Sequence, residues 1–136
     1  MNYLLDTNTC VLLIRKKAAN VLQNLTQHAF TDIAVSALTV AELQYGVAKS
    51  AYPAQNAVAL EYFLLPLTIL PFDDEDGATY GTLRSYLEAQ GTPIGAIDML
   101  LAAQAVRKAL IFVTNNVREF ERVPGLTIED WTKLQD

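Results

Sequence analysis

Four short apolar runs, Tyr3-Leu4-Leu5, Ile33-Ala34-Val35, Thr68-Ile69-Leu70 and Leu110-Ile111-Phe112-Val113, are separated by stretches that carry helical signals. Short continuous apolar runs belong to strands covered on both faces, and helices between such strands make a parallel sheet the expected solution. Thr7-Asn8-Thr9 can cap a helix through about Lys17. A second helix is expected over 18–28, with Val21, Leu22, Leu25 and Ala29 on its apolar side. Ser36 is placed to cap a helix over 37–49, and Pro53 opens another that runs to Pro66. Asp73 to Gln90 reads as an acid-started helix closed by Gly91. A further helix spans 97–109, and Leu126-Thr127-Ile128 supplies a fifth strand. The expected fold is a single α/β domain over residues 1–136, with a mostly parallel sheet of about five strands flanked by helices. Ligands of such sheets sit beyond the carboxyl ends of the strands, where Asp6 and Thr114-Asn115-Asn116 fall.

The 136 residues are 51% apolar, enough for a core without disulfide or metal staples. No basic leader precedes the first apolar run, and no run approaches the roughly 18 residues that a membrane span needs. A soluble, cytoplasmic protein is expected, and the lone Cys10 fits a reduced compartment as a packing residue. With 10 Lys+Arg against 15 Asp+Glu the chain is acidic, which argues against a general nucleic-acid coat. It leaves room for an enzyme that meets phosphate through bound cations.

Most catalytic equipment is missing. His28 is the only histidine and reads as a surface or capping residue; one Cys and one His disfavour zinc; the glycines miss both nucleotide-loop spacings. Carboxylates remain. The group Asp73-Asp74-Glu75-Asp76 reads as a solvated helix start. Asp6, at the end of a Leu-rich strand, and Asp98, between Ile97 and Met99, are more informative, because a carboxylate in apolar surroundings needs compensation. Glu42 lies in a mostly apolar helix, on the side opposite Val40 and Val47, so periodicity does not bury it. Glu119 follows the Asn-rich loop after Val113-Thr114. Each acid alone has a structural account as a cap or an exposed side chain. Together they suggest acids meeting beyond one sheet edge, where they repel unless a cation lies among them; hard oxygen ligands favour Mg²⁺, with Mn²⁺ as a substitute.

Four segments occur in order: Leu5-Asp6-Thr7-Asn8, Ser36-Ala37-Leu38-Thr39-Val40-Ala41-Glu42-Leu43-Gln44-Tyr45-Gly46, Gly91-Thr92-Pro93-Ile94-Gly95-Ala96-Ile97-Asp98 and Val113-Thr114-Asn115-Asn116-Val117-Arg118-Glu119-Phe120. In this the chain resembles the PIN-domain ribonucleases, and within them the VapC toxins of VapBC toxin–antitoxin modules, from Leu4 through Trp131. The resemblance implies Asp6, Glu42 and Asp98 as the family's first three acids and Glu119 as the fourth. Asn116 stands where many PIN domains have Asp, so either Asn116 or Glu119 completes the metal shell. Thr7, Asn8 and Thr114 match polar positions around the family's site. The implied activity is Mg²⁺-dependent hydrolysis of RNA phosphodiesters in a structured RNA such as the anticodon loop of initiator tRNA. The implied partners are a VapB-type antitoxin, which alone touches promoter DNA, and a second copy of the chain in a homodimer. Arg15, Lys16, Lys17, Arg118 and Arg122 are candidates for holding flanking phosphates.

Two other readings compete. An inactive PIN-like binding module would have little use for four acids. A phospho-signalling receiver domain needs an Asp ending a middle strand and a Lys after a late one, whereas Ser36, Pro71-Phe72 and Thr114-Asn115 follow the second, third and late strands.

Overall fold

The computed structural model describes residues 2–134. Strand β1 (Tyr3–Leu5) leads through helices α1 (Thr7–Arg15) and α2 (Ala19–Thr26) and a 3₁₀ turn (Phe30–Asp32) to β2 (Ile33–Ser36). Helices α3 (Ala37–Ala48) and α4 (Pro53–Leu64) precede β3 (Thr68–Leu70), and α5 (Asp74–Ala89) and α6 (Ala96–Arg107) precede β4 (Ile111–Val113). A one-turn helix α7 (Val117–Phe120) and β5 (Ile128–Glu129) complete the order. The sheet order is β3-β2-β1-β4-β5, and every neighbouring pair is parallel. The chain winds outward from β1 on one side and then returns to β4 on the other. The switch point therefore lies between the ends of β1 and β4, where Asp6 and Thr114 emerge.

Successive strand residues point to opposite faces, and the core follows that rule. Leu4, Ala34 and Phe112 pack with Leu83, Leu87 and Met99 of α5 and α6. Leu5, Val35 and Val113 pack with Cys10, Leu43 and Leu60 of α1, α3 and α4 on the other face. Cys10 is fully buried, as expected, and burial pushes its thiol well above its ordinary range. Among the described residues no helix is long and apolar enough to cross a membrane.

Several expectations are corrected. The cap of α1 is Asp6 rather than the Thr7-Asn8-Thr9 triplet, and the helix stops at Arg15 because Lys16 turns left-handed at φ 55°. The fifth strand is Ile128–Glu129, shifted from 126–128, with the Thr127 carbonyl accepting from Phe112 N at 2.8 Å. His28 is neither free on the surface nor a cap. Its ring forms a triangle with Tyr3, at a centroid distance of 4.5 Å, and the buried Trp131, at 5.3 Å and stacked, those two lying 5.4 Å apart. The Asp73–Asp76 start of α5 is not simply solvated. Asp73 and Asp76 form a reciprocal capping box, and fully buried Asp76 faces Lys108 Nζ at 3.4 Å.

Candidate active site

Asp6 is fixed by the chain around it. Its amide donates to Val113 O at 3.0 Å, extending the β1–β4 ladder one step past the strand, and its Oδ1 accepts from Thr9 N at 2.7 Å as the cap of α1. Only 6% of Asp6 is exposed. Burial raises its pKa, while hydrogen bonds from Thr114 and Thr9 oppose the rise. Thr114, fully buried at the end of β4, accepts from Asn116 N at 3.1 Å and so ties the loop to the acid.

Asp98 lies in the first turn of α6, where the helix dipole favours negative charge. Its pKa nonetheless rises to about 6, first through burial, then through the charges of Glu119, Asp6 and Glu42, and finally through a hydrogen bond with Glu119. Four acids separated by up to 113 positions in the chain thus share one electrostatic field. Glu42 on α3 is half-buried and accepts from Thr7 Oγ1 at 2.7 Å, and Thr7 Oγ1 also lies 3.1 Å from Thr39 Oγ1. Helical periodicity places Glu42 away from Val40 and Val47, yet α1 reaches it from the side. Glu119 on α7 accepts from Asn116 Nδ2 at 3.1 Å. Asn116 thus holds Glu119 by a hydrogen bond, and Glu119 is the side chain that faces Asp98.

Asn8 is exposed and donates to Asn115 Oδ1 at 3.0 Å, joining the first turn of α1 to the loop after β4. Asn115, which the sequence already places at this sheet edge, is part of the polar network, and so is Thr39, which no separate signal in the sequence singles out. Beside Thr7 and Glu42 opens a cleft walled by Val11, Ile14, Leu43 and Val47. Arg15 lies on its edge; Lys16, Lys17, Arg118 and Arg122 are exposed.

The donors at this edge are oxygen atoms, which suit a hard cation and not zinc. Among the described residues no three such side chains are already closed into a metal-holding group. Burial first, and then the neighbouring carboxylates, raise the pKa of Asp98, a cost that a positive charge at this edge would offset. The arrangement fits a divalent cation that would draw the acids together.

The PIN domain model matches residues 3–126. The chain is 42% identical over 131 residues to "Ribonuclease VapC2" of Haemophilus influenzae and 37% identical over 131 residues to "tRNA(fMet)-specific endonuclease VapC" of Salmonella typhimurium, in each case covering 96% of this chain and 98% of the relative. The chain belongs to the PIN domain family of VapC ribonucleases. A solved structure, that of VapBC2 from Rickettsia felis bound to a DNA fragment from its promoter, superposes with a TM-score of 0.90 at 43% identity, covering 96% of this chain and 99% of that one. Ribonucleases of this family are generally dependent on divalent metal.

Proposed function

We propose that this protein is the toxin of a type II toxin–antitoxin module, a Mg²⁺-dependent endoribonuclease that cuts a structured RNA. The observation that carries the reading is the shared field at the switch point, in which the Asp98 carboxyl responds to Glu119, Asp6 and Glu42. Asp6, Asp98, Glu42 and Glu119 would hold the ion, which when bound supplies a more acidic water and positive charge for the pentacoordinate phosphorus. Asp6 is rigid because its carboxylate also caps α1. Thr7 keeps Glu42 turned toward the edge, and Asn116 does the same for Glu119. A cation held among these acids would favour the ionised form of Asp98, so occupancy and the charge of the cluster would be linked.

The substrate we favour is initiator tRNA, because two relatives, from Salmonella typhimurium and Shigella flexneri, carry the name tRNA(fMet)-specific endonuclease. The partner is a VapB-type antitoxin, which makes the DNA contact in the assembly, with the toxin paired as a homodimer in the cytoplasm. Solved VapBC complexes bound to DNA support an antitoxin partner and a DNA-bound assembly.

The test is cleavage of a panel of intact transfer RNAs and an unstructured oligonucleotide by antitoxin-free protein, in Mg²⁺ and in EDTA, beside Asp98→Asn and Glu42→Gln. Selective cutting of initiator tRNA, lost in EDTA and in both variants, is the expected outcome. Equal activity in the variants overturns the site. Absence of any cutting by folded wild type favours a binding module instead.

A further inference from the structure

The acidic edge holds one more carboxylate, which the sequence pattern does not reveal. Val35, Leu5, Val113 and Glu129 are paired across four adjacent strands. The next residues along those strands are Ser36, Asp6, Thr114 and Asp130. The ladder continues through this next step on the β1–β4–β5 side: Asp6 N donates to Val113 O, and Thr114 N donates to Glu129 O, each at 3.0 Å. Thr114 therefore stands between two acids and hydrogen-bonds to Asp6.

We propose that Asp130 is a fifth acid of this site, a positioning residue whose fixed charge strengthens the hold of Asp6 on a divalent cation. The proposal rests on the reading of Asp6 as a metal ligand. Asp130 is held from both sides. Glu129 before it is in the ladder, and Trp131 after it is 1% exposed, with its carbonyl accepting from Asn24 Nδ2 at 3.0 Å and its indole N–H donating to Glu129 Oε1 at 3.0 Å. Asp130 Oδ1 itself accepts from Thr132 N at 2.9 Å and Thr132 Oγ1 at 2.5 Å. A carboxylate so constrained keeps its charge at the same step of the sheet edge as Asp6, with only Thr114 between them. Toward a dication held there, every nearby negative charge adds attraction.

The experiment is calorimetric titration of the full chain with Mn²⁺ alone, together with thermal melting in EDTA, for wild type, Asp130→Asn, Asp130→Glu, Asp6→Asn and the exposed control Glu121→Gln. Asn at 130 keeps an oxygen for Thr132 but removes the charge. Its Mn²⁺ affinity should fall about tenfold, the lower end for residues that support metal ligands, with no loss of melting temperature in EDTA. Asp130→Glu should recover most of that affinity, and Glu121→Gln should match wild type. The gap between wild type and Asp130→Asn should narrow as KCl rises, because the effect is carried by charge across a gap and is screened. Wild-type affinity in Asp130→Asn with binding lost in Asp6→Asn overturns the role of Asp130 while sparing the site. Unchanged binding in Asp6→Asn overturns the site itself. Loss of affinity in Asp130→Asn accompanied by an equal loss in Asp130→Glu and a lower melting temperature would show a structural role and also overturn the proposal.

Discussion

Removing the Asp98 charge should stabilise the cation-free protein, and the size of the gain follows from the site. The carboxyl is raised from an ordinary 3.8 to about 6. Fully expressed, that difference corresponds to about 3 kcal/mol at neutral pH. Asp98 is half-buried, so solvent screening reduces the usable part to about 1.5 kcal/mol. The sign follows from proton binding. Between pH 3.8 and about 6 the folded protein holds more protons at this position than the unfolded chain, so stability falls as pH rises through that window and stays low above it. Asp98→Asn mimics the protonated carboxyl and escapes the penalty. In EDTA at pH 7.5 it should melt about 5 °C above wild type, and at pH 4 the two should coincide. Adding Mg²⁺ should raise wild type and leave Asp98→Asn nearly unmoved, because the ion binds the folded state through the acids. Differential scanning calorimetry from pH 4 to 8, with and without Mg²⁺, reads all three. If Asp98→Asn is less stable than wild type in EDTA by the same margin at every pH, burial and carboxylate repulsion do not raise the Asp98 pKa as argued.

Asp6 has two separable duties: Asp6→Asn and Asp6→Ala should both abolish cleavage, but Asn retains an oxygen for Thr9 N while Ala loses the cap of α1 and about 1 kcal/mol of stability, visible in urea midpoints. Thr7→Val removes the hydrogen bond to Glu42, and should lower cleavage while costing no more than about 1.5 kcal/mol of stability, measured as kcat beside denaturant titration. Lys108→Met leaves buried Asp76 without its cation and should lower the urea midpoint with RNA cleavage per folded molecule unchanged, since this pair joins the end of α6 to the start of α5 and touches none of the site acids.

The fold was legible because its signals were local and of a single kind. Apolar runs at Leu4-Leu5, Ile33-Val35 and Phe112-Val113 can be satisfied only inside a covered parallel sheet, and Ser36, Pro53 and Gly91 mark element ends by backbone chemistry that does not depend on distant residues. The misplaced features depend on partners far away in the chain. β5 has too few residues to announce itself, and its bounds are set by which carbonyls meet β4. His28 gives no local hint of its stack, because Tyr3 and Trp131 come from opposite ends of the sequence. The turn of α7 is short and follows an Asn-rich loop, so propensity alone says loop.

The site acids divide along the same line, and the division says where chemistry has displaced stability. Asp6 and Asp98 stand out from sequence because each interrupts apolar residues, a placement that folding alone penalises. Glu42 and Asp130 do not stand out, since a half-exposed helical Glu and an acid near the end of the chain are ordinary surface residues. What makes them unusual is the register that aligns Asp130 with Asp6 through Thr114, and the packing of α1 against α3 that brings Thr7 to Glu42. A fold selected only for stability would replace any of these carboxylates at the switch point with an amide, keeping the hydrogen bonds and removing the repulsion. Asp6 and Glu42 accept hydrogen bonds that Asn or Gln could accept equally well. Their negative charge is therefore the property that the backbone geometry leaves unexplained, and the proposed cation-dependent chemistry at the strand ends would account for it.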